Sequence, residues 1–578
     1  MLRKLFLTTI FIFFSQYLRG NIVSLDYPFS IKTNFYKYNF TLKWNVDWKE
    51  QLVKFSLNFP TTVPYQTVMI GFSDHGNYEK TDFCLLSRYT IFDGFIDNEL
   101  NLLPDIQQDC QNYKKLNNDN YYFERKFITC DPKDYAMDTG QSQFLIAIFS
   151  KEFSNLMDAD EKKFLYAIIL DEYIPNRKKD LDTEKVVFYG ATNSLISSER
   201  TSYKCFIKRI DDSILAKKHH IIEYKSFVTP GNEHIVHHME IFLCIGSKPT
   251  DNLDYEGSCQ SKKRPKKSSS CSKVIGAWAF GAGPFEYPDE AGIAFGGKHF
   301  PAYIMVEIHY NNEKNESNFI DSSGILITYT EKLRKYDAGI MELGLIYSDA
   351  NSIPPGQKAF PMTGYCVPEC TKHLPTNGIY IFATQLHAHL TGRKLFTSHF
   401  RNGVKIGEIN RANHYSPHWQ LIRKLKKTVN VKKGDYLSTT CVYDTYDKTN
   451  FVFGGYGIED EMCVNYIHYY PESVIEVCKS AINNKTLEEF FLYNIQDLEM
   501  NNEYTINQKF EMLNYDNNVF DNLKELYAVG NLNVHCLGHD GKLIKGKTNW
   551  ENIEKPRTSK GSIFAKTISE HECLTINN

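Results

Sequence analysis

Between residues 36 and 175, apolar and polar residues alternate in short runs at Tyr38–Val46, Leu52–Phe59, Thr67–Ser73 and Gln143–Phe149, with polar turns between them. A period of two sends successive side chains to opposite faces of an extended chain. These runs therefore predict strands with one buried face, and the region as a whole predicts a β-sandwich. The stretch Ile174–Lys185 breaks the pattern, carrying Pro175 and the run Arg177-Lys178-Lys179-Asp180, and reads as a linker. Strand-like patterning resumes over 195–330. It continues over 337–485, with segments at Gly378–Thr384, Lys394–Phe400, Tyr436–Val442 and Met462–Tyr470. The last stretch, 486–578, mixes helix-like segments at Leu487–Tyr493 and Val519–Ala528 with loops. No repeat recurs at a fixed period. The expectation is a mainly β chain of several domains.

The start of the chain departs from this pattern. Arg3 and Lys4 precede an apolar stretch, Leu5–Phe14, that ends at Ser15 and Gln16. Basic-then-apolar order at the N-terminus predicts a secretory signal over residues 1–20. Cleavage near Gly20 fits, but no clean small-x-small site stands there, so an uncleaved anchor stays open. Beyond this stretch nothing is apolar enough for long enough to span a bilayer. The 578 residues exceed one compact core and predict roughly three or four domains. A balance of 66 basic against 69 acidic residues leaves a net charge of −3, which gives no global electrostatic case for a nucleic-acid partner. Aromatics at 14% favour strands.

Export to an oxidising compartment agrees with the cysteines. The chain has 14 (84, 110, 130, 205, 244, 259, 271, 366, 370, 441, 463, 478, 536 and 573), an even number that allows seven disulfides. Cys366 and Cys370 are spaced Cys-x3-Cys, which without a second close pair is a poor zinc motif. Sequons at Asn39, Asn315 and Asn484 suit glycosylated surface loops. The Lys- and Ser-rich run Ser261–Ser272 has a docking or processing reading, but a solvated loop between Cys259 and Cys271 explains it more simply.

Two histidine clusters stand out among the 18. His387 and His389 are two residues apart after a strand-like run, so on a strand they share a face and can converge on one ion. His237 and His238 are adjacent, and joint ligation by them would need a bulge or a strand end. Spacing alone does not prefer that pair over His219-His220, nor does it assign His309 to either. Met462, ordinarily a core residue, would complete a thioether-plus-imidazole set with His387 and His389. Such a set selects copper, especially Cu(I). A blue-copper centre would need a free thiolate, whereas these cysteines are expected to be oxidised. From the residues alone the reading stops at a secreted copper protein.

Longer strings carry it further. GNEHIVHHMEIFLC (231–244), AWAFGAGPFEYPDEAGIAFGG (277–297), DAGIMELGL (337–345), QLHAHLTGRK (385–394), NHYSPHWQ (413–420) and EDEMCVNYIHYYP (459–471) closely resemble the ascorbate-dependent type II copper monooxygenases, in particular the branch that β-hydroxylates dopamine or tyramine. The resemblance is dense from 201 to 480 and weak in the first domain and the tail. It implies a DOMON-like sandwich over 36–175, two jelly-roll-like copper-binding β-domains over 195–330 and 337–485, and a mixed C-terminal extension over 486–578. It also implies two coppers: an electron-transfer copper on His237, His238 and His309, and an oxygen-side copper on His387, His389 and Met462. Ascorbate would be the electron donor, dioxygen the co-substrate and a phenylethylamine the small-molecule substrate, as in catecholamine or octopamine biosynthesis; the alternatives are a copper monooxygenase acting on another substrate and a secreted copper-binding protein without turnover.

His387 and Tyr203 carry over as catalytic positions, although strand packing beside Cys205 accounts for Tyr203 equally well. The bridges implied are Cys130–Cys573, Cys205–Cys259, Cys244–Cys271, Cys366–Cys478, Cys370–Cys536 and Cys441–Cys463, leaving Cys84 and Cys110 for a seventh. Cysteines used by some relatives for covalent dimers are missing between Cys478 and Cys536, so any homo-oligomer would be non-covalent. Amidating members of the family place an Arg two residues before His-x-His to hold a peptide carboxylate. Gln385 stands there and lacks the charge. Glu240 and Glu342 are the candidate carboxylates for an amine, each with an ordinary salt-bridge reading beside it. The location implied is the secretory pathway: vesicle lumen, extracellular space, or both.

Overall fold

The computed structural model describes residues 27–556, apart from 36–37, 60–66, 88, 117–118, 172–179, 181, 281, 418, 497, 499–502 and 546–549. The expected signal at 1–20 and Cys573 lie outside the described residues, as does most of the expected linker. The chain divides into two compact units, one holding residues up to 173 except 138–141, the other holding 138–141 and everything from Ile174 onward.

In the first unit a five-stranded and a six-stranded antiparallel sheet form a sandwich. The alternation that predicted it is visible in Leu52–Asn58, where every second residue is buried. Phe40, Leu42, Phe55 and Leu57 of one sheet pack against Val68, Ile70, Phe72, Phe144 and Ile146 of the other. Strand Ser142–Phe149 is buried along its whole length because a second cluster around Leu145 and Phe149 covers its outer face. Cys84 and Cys110 form the seventh bridge, 5.8 Å apart at Cα.

The second unit carries the histidine clusters. Its N-terminal half has a five-stranded sheet ordered Tyr255–Ser258, Thr201–Arg209, Tyr303–Asn311, Val236–Cys244, Cys271–Ala279. Facing it are Glu184–Gly190, Gly324–Thr330, His219–Phe227 and Ala291–Phe295, part of an eleven-stranded sheet. Glu184–Gly190 pairs along its full length with Gly324–Thr330, so strand structure begins about ten residues before the expected start at 195 and takes in Lys185.

A short parallel ladder, Ala291↔Tyr336 to Ile293↔Ala338, carries that large sheet into the C-terminal half. There it continues through Tyr336–Leu345, Val464–Tyr470, Ile379–His387 and Arg423–Val431, opposite a four-stranded sheet. Among the described residues none of the sheets closes on itself. One apolar cluster runs from Ile241 and Ile293 through Phe285 to Phe382 and Tyr470, so residues of both halves share a core.

The helix-like segments of the extension are helices Asn484–Asn494 and Asn517–Val529, capped by the side chains of Asn483 and Asp516. After them Leu532–Gly538 returns as a strand against Ile475–Ile482, and Cys370–Cys536 ties it to the short helix Pro368–Thr371. Six expected or leftover bridges are formed among the described residues, including Cys205–Cys259, Cys244–Cys271, Cys366–Cys478 and Cys441–Cys463. Cys366 and Cys370 thus point to different partners, which removes the zinc reading. Cys130 is also disulfide-bonded. Asn39, Asn315 and Asn484 are exposed. Among the described residues no helix is long and apolar enough to cross a membrane.

Candidate metal centres

The first cluster forms because a strand breaks its own alternation. In Val236–Cys244 the register against Tyr303–Asn311 slips between Val236 and His238, so His237 is the extra residue of a bulge. A bulge re-aims a side chain, and here it turns His237 to the same side as His238. Their Nδ1 atoms lie 3.0 Å apart. His309 sits directly across from His238 in the ladder. One nitrogen from each of the three rings falls within 4.8 Å of the others.

Thr201 Oγ1 engages His309 Nε2 at 2.8 Å, while His309 Nδ1 is buried without a hydrogen-bond partner. Burial holds His238 well below the usual histidine range, with His309, His237 and His387 adding to the shift, and holds His309 down at about 4. Three imidazoles aimed at one point, one of them carrying an orphan nitrogen, are a donor set that a cation would satisfy. Copper suits them. The rival pair goes elsewhere: His220 bonds Asp337 at 2.8 Å and His219 lies against Tyr329 and Glu331.

Tyr203 faces His309 across the ladder and stacks on it, with ring centroids 4.3 Å apart and planes 8° apart. It is therefore part of the first cluster, beyond any packing role near Cys205. Burial raises its hydroxyl, and Glu307 and Glu240 raise it further.

The second cluster differs from its strand prediction. Strand Ile379–His387 ends at His387, and His389 lies past the end. Their rings still face each other, 5.1 Å apart and nearly perpendicular. Backbone and side-chain acceptors do the orienting: His387 Nδ1 donates to Gln420 Oε1 at 2.5 Å, and His389 Nδ1 donates to the Asp460 carbonyl at 2.9 Å. Each Nε2 is left as the ligating nitrogen, the arrangement by which outer contacts fix a ligand's tautomer.

Burial, then His389, holds His387 at about 4. The Glu461 carboxylate accepts from the backbone N–H groups of His389 at 2.9 Å and Thr391 at 2.6 Å, and Met462 follows it directly in the chain. Gly344 lets the strand bearing Glu342 approach this segment, since a Cβ there would meet the Cys463 carbonyl oxygen at 2.0 Å.

The two candidate carboxylates separate. Glu342 is ion-paired with Lys479, which is 3% exposed and lies 3.6 Å over the Tyr347 ring. Glu240 is half-buried opposite Glu307 in the ladder. Burial, reinforced by Glu307 and Glu342, pushes it up to about 7. Gln385 donates to the Gln420 carbonyl at 3.0 Å, so it braces the residue that holds His387. Gln420, Asp460, Glu461, Thr201 and Lys479 had no spacing signal of their own, although the strings 413–420 and 459–471 contain Gln420, Asp460 and Glu461.

In the basic run, Arg264 folds inward onto Ser268 and the Cys259 carbonyl, and Lys267 pairs with Asp251. That makes it a structured loop.

The family model for copper type II ascorbate-dependent monooxygenases matches at its N-terminal domain over residues 189–317 and at its C-terminal domain over 336–491, and the DOMON domain model matches 37–149. The chain is 42% identical over 565 residues to tyramine beta-hydroxylase of Caenorhabditis briggsae, covering 93% of this chain and 94% of that protein. It is 37% identical over 536 residues to dopamine beta-hydroxylase of Homo sapiens, covering 89% and 85%. It is 31% identical over 452 residues to DBH-like monooxygenase protein 2 of Mus musculus, covering 76% and 71%.

Proposed function

Because the chain belongs to the copper type II ascorbate-dependent monooxygenase family, we propose that it hydroxylates the benzylic carbon of a phenylethylamine such as tyramine or dopamine. The proposal puts the first copper on His237, His238 and His309 and the second on His387, His389 and Met462. The observation that carries the substrate class is the pairing of a carboxylate without a basic partner, Glu240, with the neutral Gln385 where a peptide-binding Arg would stand.

Copper at these donors supplies one-electron redox chemistry and the activation of dioxygen, with ascorbate as the source of electrons. The chain's residues do the rest. Glu240 receives the substrate ammonium, since Lys479 already neutralises Glu342. Gln420 and the Asp460 carbonyl hold the His387 and His389 rings with their Nε2 lone pairs presented. Burial holds His238, His309 and His387 below the usual histidine range, so at these three a metal meets less competition from a proton. In balance, one C–H becomes C–OH, the second oxygen atom leaves as water, and two electrons and two protons are consumed. The compartment we infer is the secretory pathway, a vesicle lumen or the outside of the cell, where the disulfides persist.

The test is product formation by copper-loaded protein given oxygen, ascorbate, and tyramine, dopamine or a glycine-ended peptide. β-Hydroxylated amine supports the proposal. A processed peptide with no amine product contradicts it.

A further inference from the structure

Residues 454–461 form a small closed loop immediately before Met462. Its base is pinched by a bridge between Gly454 and Glu461, by Gly455 N donating to the Glu461 carbonyl at 3.2 Å, and by Glu461 N donating to the Phe453 carbonyl at 2.8 Å. The Asp460 carboxylate fills the inside, accepting from Gly457 N at 3.0 Å. A Cβ on Gly455 would lie 2.4 Å from that carboxylate, which would have to shift to admit it. The base is rooted in the second cluster, because the Asp460 carbonyl and the Glu461 carboxylate both hold His389.

The tip is built differently. Tyr456 is 77% exposed and Ile458 is 59% exposed. The Tyr456 ring stands nearly edge-on to Tyr347, with centroids 4.9 Å apart. The Tyr347 hydroxyl donates to Glu342 at 3.3 Å and lies 3.4 Å from the Tyr466 hydroxyl. The Tyr466 ring in turn is 6.4 Å from the His387 ring. An aromatic wall therefore runs from the carboxylate side of the site to the second histidine cluster, and Tyr456 is its outer, solvent-facing end.

An aryl-alkyl amine has two recognisable parts. The ammonium needs a carboxylate, while the ring needs a flat apolar partner that a charged group cannot supply. We propose that Tyr456 is a specificity-determining residue whose ring packs on the aromatic ring of the substrate. This rests on the function proposed above. Exposure without ligand and rigidity at the loop base are what such a contact requires: the ring is open to an incoming substrate, yet anchored to the segment that holds His389.

The experiment compares wild type, Tyr456→Ala, Tyr456→Phe and Ile458→Ala as full-length, copper-loaded protein. It measures steady-state kinetics with tyramine and phenylethylamine, and anaerobic equilibrium binding of phenylethylamine without ascorbate. Tyr456→Ala is expected to raise KM and the binding constant about threefold to tenfold, with kcat within about twofold. Tyr456→Phe keeps the ring and is expected to match wild type, as is Ile458→Ala. The proposal is overturned if Tyr456→Ala binds the amine as wild type does, if its loss appears in kcat or copper content rather than KM, or if Tyr456→Phe fails equally. No hydroxylated product from the wild type would instead remove the amine reading itself, and this contact with it.

Discussion

His237 and His238 are consecutive residues of one strand, yet their Nδ1 atoms are 3.0 Å apart. Regular strand geometry would put them on opposite faces, and the bulge at His237 brings them together. Across from them His309 keeps one nitrogen on Thr201 and leaves the other buried without a partner. The first cluster is thus made by a local fault in the ladder, and the proposed copper there would draw on all three rings.

Substituting His309 by Ala should lower bound copper from two to one per chain and abolish product, while Met462→Ala should weaken the second site only. Metal analysis after dialysis, read beside activity, checks this. Two coppers retained in His309→Ala would show that the three rings are not one site.

Gln420 touches no proposed metal position but fixes the His387 ring. Gln420→Ala should weaken copper at the second site by about 10- to 100-fold, the usual cost of losing such an outer contact. Circular dichroism should stay unchanged. Competitive titration with a Cu(I) chelator reads the affinity, and wild-type affinity would count against the positioning role.

The two candidate carboxylates predict opposite phenotypes. Glu240→Gln should raise KM for the amine with little change in melting temperature. Glu342→Gln strands the buried ammonium of Lys479 and should destabilise the fold, towards the low end of the roughly 3–5 kcal/mol expected for breaking a buried pair, because Glu342 is partly exposed. Adding Lys479→Met to Glu342→Gln should recover much of that loss. Thermal melts and amine kinetics on the same preparations separate the two roles.

His468 gives a pH signature distinct from the ligands. It packs against Phe285 at 4.9 Å, its Nδ1 has no partner, and burial holds it at about 3. Its folded value lies below the unfolded one, near 6.5. Above pH 6.5 it is neutral in both states and contributes nothing. As pH falls from 6.5 towards 3, only the unfolded chain takes up the proton, so stability declines. At pH 5 this amounts to about 2 kcal/mol. His468→Leu should therefore lose less stability than wild type between pH 7 and pH 5 in denaturant titrations, and parallel curves would contradict the assignment.

Much of this architecture could be read from residue patterns. Strands Leu52–Asn58 and Thr67–Ser73 carry a period of two or a continuous apolar run, and those signals are local. The helix-like segment Val519–Ala528 falls within helix Asn517–Val529, whose cap at Asp516 and buried Val519, Phe520 and Leu523 the fold supplies. The proposed ligands His387 and His389 were visible as a motif, but the strand end between them was not, because boundaries depend on pairing partners distant in sequence. His309 could not be assigned from spacing, since only the ladder register places it opposite His238. Gln420, Asp460 and Lys479 were silent for the same reason. Each acts through a contact made by folding, and nothing in the identity of a single glutamine or lysine marks it.

The central claim is that this chain inserts one atom of dioxygen into the side chain of an aryl-ethylamine. The most direct test supplies 18O-labelled dioxygen, ascorbate and tyramine to the copper-loaded protein and weighs the product by mass spectrometry. The account predicts a β-hydroxylated amine carrying one labelled oxygen, formed with one ascorbate oxidised per product and missing from Met462→Ala. Ascorbate oxidised without hydroxylated amine, or product whose oxygen comes from water, would contradict it.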